Sequence, residues 1–158
     1  MIENRSAAPG PVVPTLVYTD VGQAIDWLCQ TFGFTEILRY GAPGSADGAQ
    51  LGVGAGSVAL TKARVGQSAE WGDPAALRPP RSDEVTHTIG VHVADVDAHY
   101  AHAKQHGARI LHPPETYSFG ERQYTAEDLG GHRWTFTQSV ADVAPEEWGG
   151  QPANPGSA

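Results

Sequence analysis

The stretch DVGQAIDWLCQTFGF, residues 20–34, is the part of the chain that decides the fold. It opens with Asp20, a residue type favoured at the N-cap of a helix. Apolar residues then recur at the spacing of one buried helical stripe, namely at Val21, Ile25, Leu28 and Phe32. Gly33 suits the left-handed position that ends a helix. The stretch therefore predicts a helix over residues 21–32.

Short β-branched and apolar segments flank this helix on both sides. Residues 12–19 predict one strand before it. Three further segments follow it, separated by Gly- and Ala-rich turns, at residues 35–40, 50–53 and 57–62. The first half of the chain therefore predicts the order β-α-β-β-β.

The second half repeats this order. Asp95-Val96 follows Asp20-Val21 by 75 positions, and Gly107 follows Gly33 by 74. The repeat predicts a helix over residues 96–106, with strands at 86–93, 109–111, 122–126 and 133–138. We therefore predict an α+β fold of paired βαβββ modules, in which each helix covers one face of its sheet and the other faces surround a cleft.

The predicted division of the chain has five parts. They are a flexible N-terminal tail at 1–11, the first module at 12–64, a connecting loop at 65–85, the second module at 86–138 and a C-terminal tail at 139–158. We expect the C-terminal tail to dock through Trp148, on its own subunit or on a partner.

Composition limits the possible partners. The net charge of −8 argues against nucleic acid, whose phosphates need a basic surface. No apolar run approaches the roughly 20 residues that a membrane helix needs. The first residues lack the apolar stretch of a secretory signal, so we expect a cytoplasmic protein. The single cysteine, Cys29, is expected to be an inert thiol within the first helix.

Two motifs resemble a known family. Asp20-Val21 followed by Phe32-Gly33-Phe34 resembles the signature of glyoxalase-like proteins, and residues 120–132 resemble their hairpin before the last strand, with Leu129 where proline is usual. The resemblance covers residues 12–138. On these motifs the chain is identified as a member of the glyoxalase/bleomycin-resistance (vicinal oxygen chelate) superfamily, whose fold dihydroxybiphenyl dioxygenase shares.

The resemblance implies a pocket under a curved sheet and, in most members, a homodimer. Enzymes of the superfamily include glyoxalase I, extradiol dioxygenases, methylmalonyl-CoA epimerase and fosfomycin-modifying transferases, and they use a divalent metal held by His, Gln or Glu. Other members bind antibiotics such as bleomycin without a metal.

The positions that correspond to the metal ligands of the superfamily carry poor ligands here. Aligned on the motifs, they fall at Val13, Ala59, Thr88 and Thr135. His87 is the nearest substitute, but strand alternation predicts that it shares the helix-packed face with Ile89, Val91 and Val93. We therefore predict neither a metal nor a cofactor.

Strand alternation also predicts a polar pocket. If Ile89, Val91, Trp134 and Phe136 face the helices, the intervening residues face the cleft. The predicted pocket is lined by Thr88, His92, Arg133 and Thr135, with Tyr124 and Trp71 as walls. His92 either contacts a ligand or lies in water at the strand end. Arg133 either holds a carboxylate or phenolate or is a strand-edge cation.

Three other groups of polar residues are weaker candidates for a binding or catalytic site. Arg122 is expected beside Tyr124 in the cleft. Glu121 and Glu127-Asp128 lie too close to turns for a catalytic pair, so no catalytic residue is assigned. His99, His102 and His106 form one stripe on the second helix, which is expected to face solvent.

These features favour a metal-independent protein that binds a small molecule, either a drug or a metabolite, as antibiotic-sequestering members of the superfamily do. The alternative is a lyase, isomerase or dioxygenase of the same superfamily. The sequence leaves open whether the protein is an enzyme.

Overall fold

The computed structural model describes residues 4–64 and 77–153. The first module contains β1 (Thr15–Tyr18), α1 (Val21–Phe32), β2 (Thr35–Ala42), β3 (Ser45–Val53) and β4 (Gly56–Lys62). The second contains β5 (Thr88–His92), α2 (Val96–Gln105), β6 (Arg109–Thr116), β7 (Glu121–Glu127) and β8 (Arg133–Ser139). A short 3₁₀ helix, Pro145–Trp148, follows β8.

The two modules have the same topology. Each forms a four-stranded sheet, in the orders β1-β4-β3-β2 and β5-β8-β7-β6. In each sheet the first strand pairs in parallel with the last, and the other pairings are antiparallel. The predicted paired βαβββ fold is confirmed.

The helix boundaries follow from the capping residues that the sequence identified. The Asp20 side chain accepts a hydrogen bond from the Gln23 amide at 2.9 Å, and Asp95 accepts one from the Ala98 amide at the same distance. Gly33 ends α1 with a φ of 72°, in the left-handed region. Among the described residues, neither helix has the length and apolar character needed to cross a membrane.

The strands differ more from the predicted lengths. β1 begins at Thr15, so Val13 and Pro14 precede the sheet. β6 was predicted to end at Leu111, yet it continues through Pro113 and Pro114 to Thr116. It tolerates these prolines because it lies at the edge of its sheet, where the missing amide hydrogen breaks no ladder.

One hydrophobic core joins the two modules. The end of α1 packs on the helix-covered face of β8, where the Phe32 ring lies 4.8 Å from Phe136 and 5.8 Å from Trp134. The Phe34 ring lies 5.2 Å from Trp134. Since Phe32, Trp134 and Phe136 are almost completely buried, each module supplies much of the apolar contact of the other.

A buried carboxylate, Asp128, links the two modules through hydrogen bonds. It follows β7, is 5% exposed, and accepts hydrogen bonds from the Tyr18 hydroxyl at 2.6 Å and the Trp134 indole at 2.9 Å. The backbone amides of Gly130 and His132 donate to its other oxygen at 2.8 and 3.0 Å. Gly130 has no room for a side chain, because a Cβ there would lie 2.6 Å from the Tyr18 ring. The hairpin motif therefore has a structural role.

His99 and His102 of the α2 stripe contact the first module, which corrects the expectation of a solvent-facing row for His99, while His102 is exposed as expected. The Nε2 atoms of His99 and His102 lie 3.1 and 2.8 Å from the carbonyls of Phe32 and Gln30, at the end of α1. Because a carbonyl can only accept, His99 donates through Nε2 and its Nδ1 accepts from the Tyr124 hydroxyl at 2.6 Å. The stripe satisfies carbonyls that a helix end leaves without partners.

The C-terminal segment docks on its own chain. The Trp148 ring lies 5.8 Å from Phe119 in an edge-on arrangement, and Phe119 in turn stacks on Tyr117 at 5.3 Å. Trp148 remains 45% exposed, so this contact covers only part of its surface.

The position of His99 predicts that acid weakens the fold. Burial, assisted by the charge of His102, lowers the pKa of His99 although the hydrogen bond to the Phe32 carbonyl acts in the opposite direction. The unfolded chain, with an ordinary imidazole pKa of about 6.5, therefore binds more protons below that pH. We expect this contribution to the free energy of unfolding to be complete above about pH 6.5 and lost as pH falls through the folded pKa.

Urea unfolding over a series of pH values measures this contribution. His99→Gln, which cannot be protonated, should lose less stability than the wild type between neutral and mildly acidic buffers. His112→Gln is the matched control, because the His112 side chain is 54% exposed. Equal pH dependence in the wild type and His99→Gln would contradict the prediction.

Candidate ligand-binding site

The second sheet has a polar face opposite its helix, on which no other helix or strand of the described residues packs, and which is called the uncovered face. Strand pairing arranges its side chains in three rows. The rows comprise His92, Thr137 and Gln123; Gly90, Thr135 and Thr125; and Thr88, Arg133 and Glu127. Trp134 and Phe136 alternate with these residues and are fully buried against the helices. The structure therefore brings Thr88, His92, Arg133 and Thr135 to one face.

The middle row of this face contains only small side chains. Gly90, Thr135 and Thr125 lie side by side across β5, β8 and β7. A Cβ atom placed on Gly90 would have no heavy atom within 4 Å, so space remains above the centre of the sheet. The row forms a shallow hollow with hydroxyl groups on its floor.

A fixed carboxylate stands at one end of the hollow. The Oε2 atom of Glu121 accepts hydrogen bonds from the Thr137 hydroxyl and the Gln123 amide, both at 2.7 Å. These two bonds, together with the charge of His92, hold the pKa of Glu121 below its usual value. The sequence analysis assigned Glu121 no catalytic role because it lies close to a turn, and it is indeed the first residue of β7, directly after the turn at residues 118–120.

Ion pairs occupy the other end. The Arg109 guanidinium donates to Glu127 at 2.8 Å, and Arg133 Nε lies 3.8 Å from the second oxygen of Glu127. Arg133 Nε is buried without a hydrogen-bond partner among the described residues. A ligand acceptor beside it would satisfy this donor.

A larger cleft of about 720 Å³ adjoins this end, between the two modules. It is lined by Thr15 and Val17 of β1, by His132 and Arg133, and by much of the segment 78–87 that leads into β5. Arg133 thus borders both the cleft and the polar face. The described part of the connecting segment therefore contributes to this cleft.

The corresponding face of the first sheet is partly covered by the N-terminal segment. Gln50 on β3 donates from its side chain to the Ser6 carbonyl at 3.0 Å, and the Ser57 hydroxyl on β4 donates to the Pro9 carbonyl. Ser57 is 5% exposed as a result. The face of the second sheet is therefore the more accessible of the two.

Two predicted positions on β7 are corrected. Tyr124 pairs with Phe136 and is 1% exposed, and burial raises the pKa of its hydroxyl. Arg122 lies on the same helix-covered side, where it binds Asp97 of α2 at 2.8 Å. Both residues were expected beside Arg133 and Thr135 in the cleft, but pairing with β8 places Gln123 and Thr125 on that face instead.

Two other predictions concern the approach to β5. His87 was expected on the core side of that strand, yet it precedes β5, is exposed and lines the cleft. Its ring lies 3.2 Å from the Thr86 hydroxyl. Trp71, proposed as a wall of the pocket, lies outside the described residues.

Comparison with known proteins agrees with this topology. A family model described as the glyoxalase/bleomycin resistance protein/dioxygenase superfamily matches residues 10–136. The chain belongs to this superfamily. The crystal structure of TioX from Micromonospora sp. ML1 shares 34% sequence identity with it at a TM-score of 0.65, covering 83% of this chain and 99% of TioX.

Two other similar proteins have lower sequence identities. The crystal structure of a glyoxalase/bleomycin resistance protein/dioxygenase from Nocardioides is 18% identical in sequence and has a TM-score of 0.62. The match covers 96% of this chain and 93% of the Nocardioides chain, and it supports the fold alone. The uncharacterized protein Rv0887c of Mycobacterium tuberculosis is 28% identical over 135 residues, covering 85% of this chain and 77% of that protein.

The metal that many superfamily enzymes use does not fit the residues present here. The four strands that correspond to the ligand-bearing strands are β1, β4, β5 and β8. Their uncovered faces carry Thr15, Val17, Ser57, Ala59, Thr61, Thr88, Gly90, His92, Arg133, Thr135, Thr137 and Ser139. Of these, His92 alone is a good ligand for a divalent metal. Within residues 4–64 and 77–153 no three His, Cys, Asp or Glu side chains converge on one point.

Proposed function

We propose that this superfamily member binds a small organic molecule, a drug or a metabolite, on the uncovered face of the second sheet and without a metal. The observation that carries the proposal is the hollow over Gly90, Thr125 and Thr135, which has hydrogen-bonding groups at both ends. A few fixed polar groups set the orientation of a ligand, while the surrounding surface supplies affinity. If the ligand is an antibiotic, sequestration would lower its free concentration.

A thermal-shift screen tests the proposal. Protein treated with a chelator is screened against planar aromatic natural products and 2-oxo compounds, and NMR then locates each stabilising compound. The proposal expects at least one compound class to raise the unfolding midpoint and to shift the amide signals of β5 and β8. A screen without a stabilising compound, or compounds that act only when metal is added, would count against it.

We further propose that the protein is a homodimer. The polar face of the second sheet is open in the part of the chain that the structure describes, and two-fold dimers are the commonest homo-oligomers. Ile37 and Tyr40 on the edge strand β2 are 42% and 55% exposed, which provides apolar area for a contact. Light scattering should give twice the chain mass of 16.7 kDa at micromolar concentration, and a monomeric mass would contradict the proposal.

Catalysis is the second candidate, in the form of a lyase or isomerase that works without a metal. His92 and Glu121 favour it, because an imidazole and an ionised carboxylate on one polar face are suited to moving a proton. His92→Ala separates the two functions. For a binding protein it should weaken binding modestly, whereas for an enzyme it should stop turnover of a compound that still binds.

A further inference from the structure

One oxygen of the Glu121 carboxylate is held by two protein hydrogen bonds, and the other oxygen is available to a ligand. Both protein hydrogen bonds, from Thr137 and Gln123, end on Oε2. Among the described residues no hydrogen bond reaches Oε1, and this atom is not buried. The two donors fix the direction of the carboxylate before any ligand arrives, so little conformational entropy is lost when a ligand binds to the free oxygen.

Among the described residues, no lysine or arginine pairs with the charge of Glu121. Its two donors are neutral, and the arginines nearby on the second module bind Glu127 and Asp97 instead. His92, one row away, is the nearby group that can carry positive charge. This end of the hollow therefore carries a carboxylate charge that no neighbouring arginine of the described residues neutralises.

We propose that Glu121 selects the ligand by charge, and that the ligand carries a protonated amine or a comparable organic cation, which donates to Glu121 Oε1. The inference rests on the proposed function, since it concerns the same face. The hollow over Gly90 and Thr135 accommodates the body of the molecule beside this contact. A charge-assisted hydrogen bond of this kind contributes about ten- to a hundredfold in affinity.

Matched compounds that differ only in charge test the inference. One set is tryptamine, its uncharged N-acetyl derivative and indole-3-propionate, and a second set has phenethylamine as the amine. Dissociation constants are measured at mildly alkaline pH by NMR titration of the amide signals of β5, β7 and β8. The amine of each set should bind most tightly.

Glu121→Gln supplies the decisive comparison. The amide oxygen can still accept from Thr137 and Gln123, so the fold should persist, which an unchanged unfolding midpoint verifies. Amine affinity should fall about ten- to a hundredfold, while that of the N-acetyl compound stays nearly unchanged. Glu146→Gln, the same change at an exposed residue outside the sheets, is the control and should keep the wild-type preference.

Each contrary outcome has a distinct meaning. If Glu121→Gln keeps the ratio of amine to N-acetyl affinity, or if the carboxylates bind most tightly, the proposed function stands and the inference is overturned. If no compound of either set binds and the thermal-shift screen also fails, the proposed function is overturned and the inference with it. If no compound of the sets binds but uncharged compounds from the screen do, the inference alone is overturned.

Discussion

Thr135→Trp should abolish ligand binding while leaving the protein folded. Thr135 lies in the middle row of the polar face, beside Thr125 and beside Gly90, where an added Cβ would meet no heavy atom within 4 Å. An indole at this position would occupy the space that a ligand needs. Because the side chain points away from the core residues Trp134 and Phe136, it should enter the hollow without disturbing their packing.

Titration calorimetry or NMR with a compound from the screen measures this effect. We expect no detectable binding and an unfolding midpoint close to that of the wild type. Thr35→Trp, the same change at an exposed position of the first sheet, is the control and should bind normally. Wild-type affinity in Thr135→Trp would show that the ligand binds elsewhere, for instance in the cleft between the modules.

Asp128→Ala should strongly destabilise the folded protein. The substitution leaves the Tyr18 hydroxyl, the Trp134 indole and two backbone amides without their common acceptor, in a place that is almost fully buried. Each buried donor that loses its partner costs about 1–3 kcal/mol. Because the donors share one network and the structure relaxes, we expect a total loss of about 3–5 kcal/mol.

Urea unfolding measures this loss, and two variants calibrate it. Tyr18→Phe removes one donor and should cost about 1–2 kcal/mol. Glu127→Ala, at the neighbouring residue, removes a carboxylate whose main partner, Arg109, is 60% exposed, so it should cost much less than Asp128→Ala. A loss for Asp128→Ala no larger than that for Glu127→Ala would refute the structural role of the hairpin motif.

The sequence predicted those features that depend on local pattern. Periodicity and caps located α1 at its observed bounds, and alternation placed Trp134 and Phe136 in the core and Thr135 on the opposite face. The repeat of Asp20 at Asp95 predicted the second module. These signals are visible because helix and strand periods act over a few residues.

Features that depend on distant pairing were missed. The phase of β7, and with it the burial of Tyr124, is set by the register with β8. Asp128 receives the hydroxyl of Tyr18 from 110 positions away, and Glu121 is held by Thr137 on another strand. No local sequence pattern predicts these contacts, because each depends on how two segments far apart in the sequence are brought together.

The most direct test of metal-independent binding is one dissociation constant measured in two states of the protein. The strongest compound from the thermal-shift screen is titrated into protein dialysed against a chelator, and into the same protein after addition of Zn²⁺, Ni²⁺ or Mn²⁺. We predict equal dissociation constants, because the uncovered faces of β1, β4, β5 and β8 offer His92 as their one good metal ligand. Binding that is lost on chelation and restored by one of these metals would contradict metal-independent binding.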